Sequence, residues 1–172
     1  VVELRTPAEA IEAGIGYVPE DRLTEGLFLE KSIEDNITLP VLDRLRGVFG
    51  IISGRRARKL AEATVADLQV ATPHVGLPVQ SLSGGNQQRV LIGRWLTIEP
   101  RLLILHGPTV GVDVGSKDTI FRIIQSLADR GMAVIIISDD LPELLQNCDR
   151  IAVMLQGAIV AERPVDAWTE DT

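Results

Sequence analysis

The chain holds 172 residues, 45% of them apolar and 24% charged, with 17 basic and 24 acidic side chains for a net charge of −7. That apolar mass suffices for one globular domain burying roughly two thirds of its unfolded surface, which excludes a disordered tail, a collagen-like repeat and a disulfide scaffold. The negative balance and an aromatic content of 3% leave neither an electrostatic surface for phosphate backbones nor a stacking platform for bases, which argues against nucleic acid as a partner. One cysteine, Cys148, has no internal partner and reads as an inert buried thiol in a reducing compartment.

In chain order, Val1-Val2-Glu3-Leu4-Arg5 carries neither an initiator Met nor a basic-then-apolar leader, and reads as the downstream piece of something longer. From about Leu23 to Ile98 helical patterns dominate, interrupted by Gly47, Gly50 and Gly54, as in a helical insert within an α/β core. Ala57, Leu60, Ala61, Thr64, Val65 and Leu68 share one helical face. Arg55, Arg56, Arg58 and Lys59 crowd its start as a solvated basic face, and Pro73 follows its end. Leu102 to Leu105 is a short apolar strand, followed by a Gly/Pro-rich loop and a helix with Ile120, Ile123, Ile124, Leu127 and Ala128 inward, closed by Gly131. Ala133 to Ile137, a short helix opened by Asp140 with Pro142 in its first turn, and Ile151 to Leu155 come next.

Three wholly apolar strands joined by helices predict a parallel sheet covered on both faces. Gln156-Gly157 between Ile151 to Leu155 and Ala158 to Glu162 predicts a closing hairpin. The longest strongly apolar run, Met132 to Ile137, is far short of the ~18 to 20 residues that cross a bilayer.

The most informative run is Ser81 to Val90. Ser83 is placed to cap a helix whose inward face includes Val90, Leu91 and Trp95, and Gly84 and Gly85 allow a ligand to approach the backbone. Unpaired amides, a partial positive charge and a hydroxyl at that helix start suit an anion, above all a phosphate. From the residues alone, an ordinary capped helix after a glycine turn accounts for the run equally well.

Leu82-Ser83-Gly84-Gly85-Asn86-Gln87-Gln88 resembles the signature motif of ATP-binding-cassette (ABC) ATPase domains, and its Asn-Gln-Gln ending is similar to the branch that energises bacterial importers of ribose, galactose and related sugars. Gly16 to Arg22 resembles that branch's loop between core and helical subdomain, with Glu20 where most cassettes carry Gln. Leu102 to Leu105 resembles the Walker B strand, Gly111 to Lys117 the D-loop, and Ile136 to Glu143 the switch region.

The resemblance implies a P-loop NTPase (RecA-like) cassette with a mostly parallel sheet. Residues 23–98 would form the helical subdomain, and residues 1–22 and 99–172 parts of the α/β core. It implies ATP with Mg²⁺ as ligands of a dimeric cassette assembly, and nucleotide contacts from Glu20, Ser83, Gly84, Gly85, Asn86, Gln87 and Asp113. The implied partners are a second cassette, commonly the first half of the same polypeptide, membrane permease subunits, and indirectly a periplasmic or extracellular sugar-binding protein. The implied place is the cytoplasmic face of the bacterial plasma membrane, peripherally bound.

Two departures stand out. No G-x-x-x-x-G-K-[ST] loop occurs, the nearest run, Gly111 to Lys117, having Gly-Ser-Lys and one residue too few, so the sequence reads as a fragment lacking that region. After the Walker B strand, where the family has Asp then Glu, stand His106 and Gly107, and at the switch position, where many cassettes have His, stands Asp139. Imidazole is a poor ligand for a hard cation, glycine cannot orient water, and a carboxylate repels phosphate, so hydrolysis at this cassette's own site is expected to be slow.

His106 has only His74 and Cys148 as possible metal-binding companions and no ligand spacing to either, so no metal site is expected. Asp139-Asp140 also reads simply as a helix start, and Trp95 and Phe121 as packing residues. A non-catalytic scaffold cassette and a DNA-repair cassette ATPase remain alternatives. The second lacks the heptads or cysteines its insertions need.

Overall fold

The computed structural model describes residues 3–47 and 50–168; residues 1, 2, 48, 49 and 169–172, which the expected domain bounds include, lie outside the described residues. The described chain forms two units, one ending at Ile137 and the other beginning at Ser138.

The first unit is built on a parallel sheet of three strands, β1 (Ile15–Val18), β2 (Leu102–His106) and β3 (Ala133–Ile137), in that order. Helix α1 (Pro7–Glu12) precedes β1, started by Pro7 and by Thr6, whose hydroxyl accepts from the Glu9 N–H. Between β1 and β2 run a π-helical turn (Arg22–Gly26), α2 (Ile33–Thr38), a 3₁₀ segment (Leu39–Leu45), α3 (Gly54–Asp67) and α4 (Gly84–Leu96), as the helical pattern predicts. Helix α5 (Val114–Asp129) links β2 to β3, and Gly131 takes φ +92° after it.

Register fixes which side chains share a face. Gly16, Leu103 and Val134 are neighbours across the sheet, as are Val18, Leu105 and Ile136, and this face packs on α4 and α5. Gly16 is required there, since an added Cβ would lie 3.0 Å from Leu103 Cδ1 and 3.3 Å from Trp95 Cβ. Ile33, Ile37, Val90, Leu91, Ile92, Leu103, Leu105 and Ile120 are fully buried, each contributing about 1.5–3 kcal/mol of hydrophobic stabilisation. Trp95 and Phe121 pack in this core, as predicted.

Two expectations are corrected. The parallel sheet is not covered on both faces: Tyr17, Ile104 and Ile135 align on the opposite face, where Tyr17 is 43% and Ile135 48% exposed, because α4 and α5 lie on the same side. Ile151 to Leu155 is not the third parallel strand. It belongs to β4 (Arg150–Leu155), which pairs antiparallel with β5 (Ala158–Pro164) in the second unit. The two-residue turn explains this: Gln156 (φ +50°) and Gly157 (φ +83°) are both left-handed, which folds the chain straight back on itself. The third parallel strand is instead β1.

The second unit also holds α6 (Leu141–Asn147), where the Asp140 carboxylate accepts from the Glu143 N–H and Pro142 sits in the first turn, as expected. No helix among the described residues is long and apolar enough to cross a membrane.

Candidate functional site

The predicted phosphate-binding turn opens α4, where Ser83 stands at the N-cap with extended backbone. Its hydroxyl does not cap the helix as expected: it accepts from Asn86 Nδ2 at 2.9 Å and makes no bond to the first amides of α4. The amides of Gly84, Gly85 and Asn86 are therefore left to an outside acceptor, with the positive end of the helix dipole behind them. Asn86 is held firmly, since its Oδ1 accepts from the Ala71 N–H at 2.7 Å and from Arg89 Nη2 at 2.8 Å. Desolvation of Arg89 lowers its pKa, partly offset by Asp113. The Gln87 side chain is buried and Nε2 donates to the Val79 carbonyl, so it ties α4 to the preceding turn.

The glycines have a reason the sequence did not reveal. A Cβ on Gly85 would lie 2.2 Å from Ser116 Oγ and 2.4 Å from Ser116 Cβ, and one on Gly84 would lie 2.8 Å from Arg22 Nη2 and 3.0 Å from the Gly111 oxygen. They admit the chain's own neighbours, and through that close packing the turn is seated on the start of α5. Asp113 caps α5, accepting from the Ser116 hydroxyl at 2.7 Å and its N–H at 3.0 Å, and these bonds hold its carboxyl below the usual 3.8. The turn and Asp113 are thus neighbours.

The second cluster lies at the end of β2. His106 Nε2 is 3.4 Å from Glu20 Oε2, joining two residues that sequence reasoning singled out separately. Gly107 has φ +55°, and a Cβ there would lie 2.8 Å from Val110 Cγ2 and 3.0 Å from Glu20 Cγ. The left-handed backbone and the Glu20 side chain together leave no room for a larger residue without movement. Mg²⁺ does not fit here: a hard cation would meet one carboxylate, already beside an imidazole nitrogen. Asp139 lies in the second unit, exposed, just before α6. Cys148 is half-buried, and its burial, helped by Asp149, raises the thiol pKa and keeps it protonated.

A third feature was not anticipated. The buried Arg94 of α4 donates through Nε to the Asn36 carbonyl at 2.8 Å, through Nη1 to the Gly26 carbonyl and through Nη2 to Asn36 Oδ1, while its guanidinium stacks 5.5 Å from the Phe28 ring. Burial lowers its pKa to about 10. Phe28, itself 56% exposed, forms with Lys31, Asp35, Leu39 and Leu42 part of the wall of a groove of ≈ 300 Å³.

Residues 3–110 match the family model described as ABC transporter. The chain belongs to the ABC transporter family. It is 43% identical over 159 residues, 92% of its length, to the ribose import ATP-binding protein RbsA of Yersinia pestis bv. Antiqua (strain Antiqua), of which it covers 31%. It is 44% identical over 165 residues, 96% of its length, to the xylose import ATP-binding protein XylG of Thermoanaerobacter pseudethanolicus, of which it covers 32%. The chain thus spans about a third of the length of these curated relatives. The ATP-binding cassette MJ0796, solved as a dimer in a post-hydrolysis state bound to ADP and Pi, superposes with a TM-score of 0.77 at 23% identity, covering 96% of this chain and 70% of that one. The α/β cassette fold implied by the motifs is therefore the fold of this ABC transporter chain.

Proposed function

We propose that this chain is part of the ATP-binding subunit of a sugar importer and that its turn at Ser83–Asn86 completes an ATP site whose other half lies on a second cassette. The observation that carries this reading is the start of α4, an array of backbone N–H groups to which the Ser83 side chain makes no cap hydrogen bond. A triphosphate would accept from the amides of Gly84, Gly85 and Asn86 and from the Ser83 hydroxyl. Asp113, beside that turn, would face the same boundary. Similarity to ribose and xylose import ATP-binding proteins supports a monosaccharide as cargo and permease subunits as partners, with a sugar-binding protein further outward.

In this reading residues 23–98 are the helical subdomain, and residues 1–22 and 99–172 belong to the core. The Phe28–Leu39–Leu42 groove would receive the permease at the cytoplasmic membrane face, so Phe28→Asp lowers transport while ATP hydrolysis continues. Nucleotide bound to this cassette's own strand end would turn over slowly. Gly107 offers no group to orient water, and the left-handed backbone there leaves no room for a larger side chain without movement. When bound elsewhere in the assembly, Mg²⁺ supplies charge neutralisation to the phosphates, and no step on this chain runs through it.

The test uses the complete transporter. Ser83→Ala is expected to lower ATP hydrolysis on the order of 10²-fold, and removing the general-base carboxylate of the other cassette to abolish it. Unchanged turnover after Ser83→Ala would instead favour a scaffold cassette without nucleotide chemistry.

A further inference from the structure

Arg22 follows Glu20 by two residues, and its side chain reaches into the loop between β2 and α5. Nη1 donates to the Val110 carbonyl at 2.6 Å and Nη2 to the Gly111 carbonyl at 2.9 Å, across 88 and 89 residues of sequence. Gly111 has φ +67°, and a Cβ there would lie 3.3 Å from Arg22 Nη1. The same guanidinium and the same Gly111 carbonyl are the two groups nearest to a Cβ added at Gly84. Three segments distant in sequence, the loop after β1, the loop after β2 and the start of α4, thus converge on one side chain. The Nε of Arg22 is buried without a hydrogen-bond partner among the described residues.

We propose that Arg22 is a positioning residue that seats the Ser83–Asn86 turn, by clamping the Val110–Gly111 carbonyls against Gly84. The inference rests on the reading of that turn as half of an ATP site. The planar fork holds two carbonyls at once, which makes the loop after β2 and the turn move with Arg22 as one body.

The test compares Arg22→Lys and Arg22→Met with the unaltered protein in the complete transporter. Both are expected to lower kcat for ATP hydrolysis roughly tenfold to a hundredfold with KM and the denaturation midpoint unchanged, since a lysine keeps the charge and loses the fork. Arg22→Lys carries the test if Arg22→Met lowers the midpoint. Hydrogen exchange gives a second readout: the amides of residues 84–86 and 107–112 should exchange faster together while the rest of α4 stays protected. Unchanged kcat, or faster exchange at 107–112 with 84–86 unaffected, overturns the clamp. Ser83→Ala in parallel separates the two readings: if it abolishes hydrolysis while the Arg22 variants do not, only the clamp fails, and if it has no effect, both fall.

Discussion

The start of α4 and the end of β2 differ in what they offer a nucleotide. At α4 the chain packs Ser116 against Gly85, Arg22 against Gly84 and Ala71 against Asn86, and every one of these contacts leaves the helix amides unoccupied. At β2 position 107 carries no side chain to act on water, and the room for one is missing too, because Gly107 is left-handed and Glu20 lies over it. One region is built to present donors and the other has closed around a histidine and a glycine. Under the proposed function, a chain with this division completes a partner's site more than it runs its own.

The sharpest way to break the contrast is Gly85→Ala. The added methyl must displace Ser116, an overpacking of about 1–3 kcal/mol concentrated on the turn, and ATP hydrolysis by the assembled protein should fall on the order of 10²–10³-fold. Steady-state turnover measures the loss, and adding Ser116→Gly should restore much of it. Next in size, Arg94→Leu removes three hydrogen bonds to buried or half-buried acceptors and should cost about 3 kcal/mol in chemical denaturation. It separates anchoring of α4 from the chemistry of its first turn.

At the other region, Glu20→Gln or His106→Ala should change overall turnover less than about threefold, as for a partly exposed ion pair. The smallest effect concerns Asp113. Its folded carboxyl titrates below the ordinary 3.8, so its contribution is complete above that value and fades as pH falls through the lower folded one. The acid side of the stability profile should therefore flatten in Asp113→Asn, as read from denaturation midpoints between pH 6 and pH 2, expressed relative to the unaltered protein.

Much of the fold was legible because periodicity and punctuation agreed. The α3 and α5 faces, the Asp140–Pro142 helix start and the Gln156-Gly157 hairpin all follow from local chemistry. Strand β1 escaped notice because Gly14 and Gly16 dilute its apolar pattern, although Gly16 is there to admit Trp95. The open face of β3 escaped as well, since a run such as Ala133 to Ile137 reads the same whether one face or both are covered.

At the site, the turn itself was legible and its support was not. Motif position says nothing about the burial of Gln87, and the Glu20–His106 pair and the Arg22 fork depend on long-range folding that spacing does not encode. The local hint of the fork was an arginine directly after Glu20-Asp21, at the first residue of a π-helical turn.

The central claim is that the first amides of α4 grip a nucleotide held on its other side by a second cassette. A structure of the complete protein trapped with a non-hydrolysable ATP analogue tests it most directly. The account predicts the γ-phosphate within hydrogen-bond reach of the Ser83 hydroxyl and the Gly84–Asn86 amides, and a nucleotide remote from that turn would contradict it.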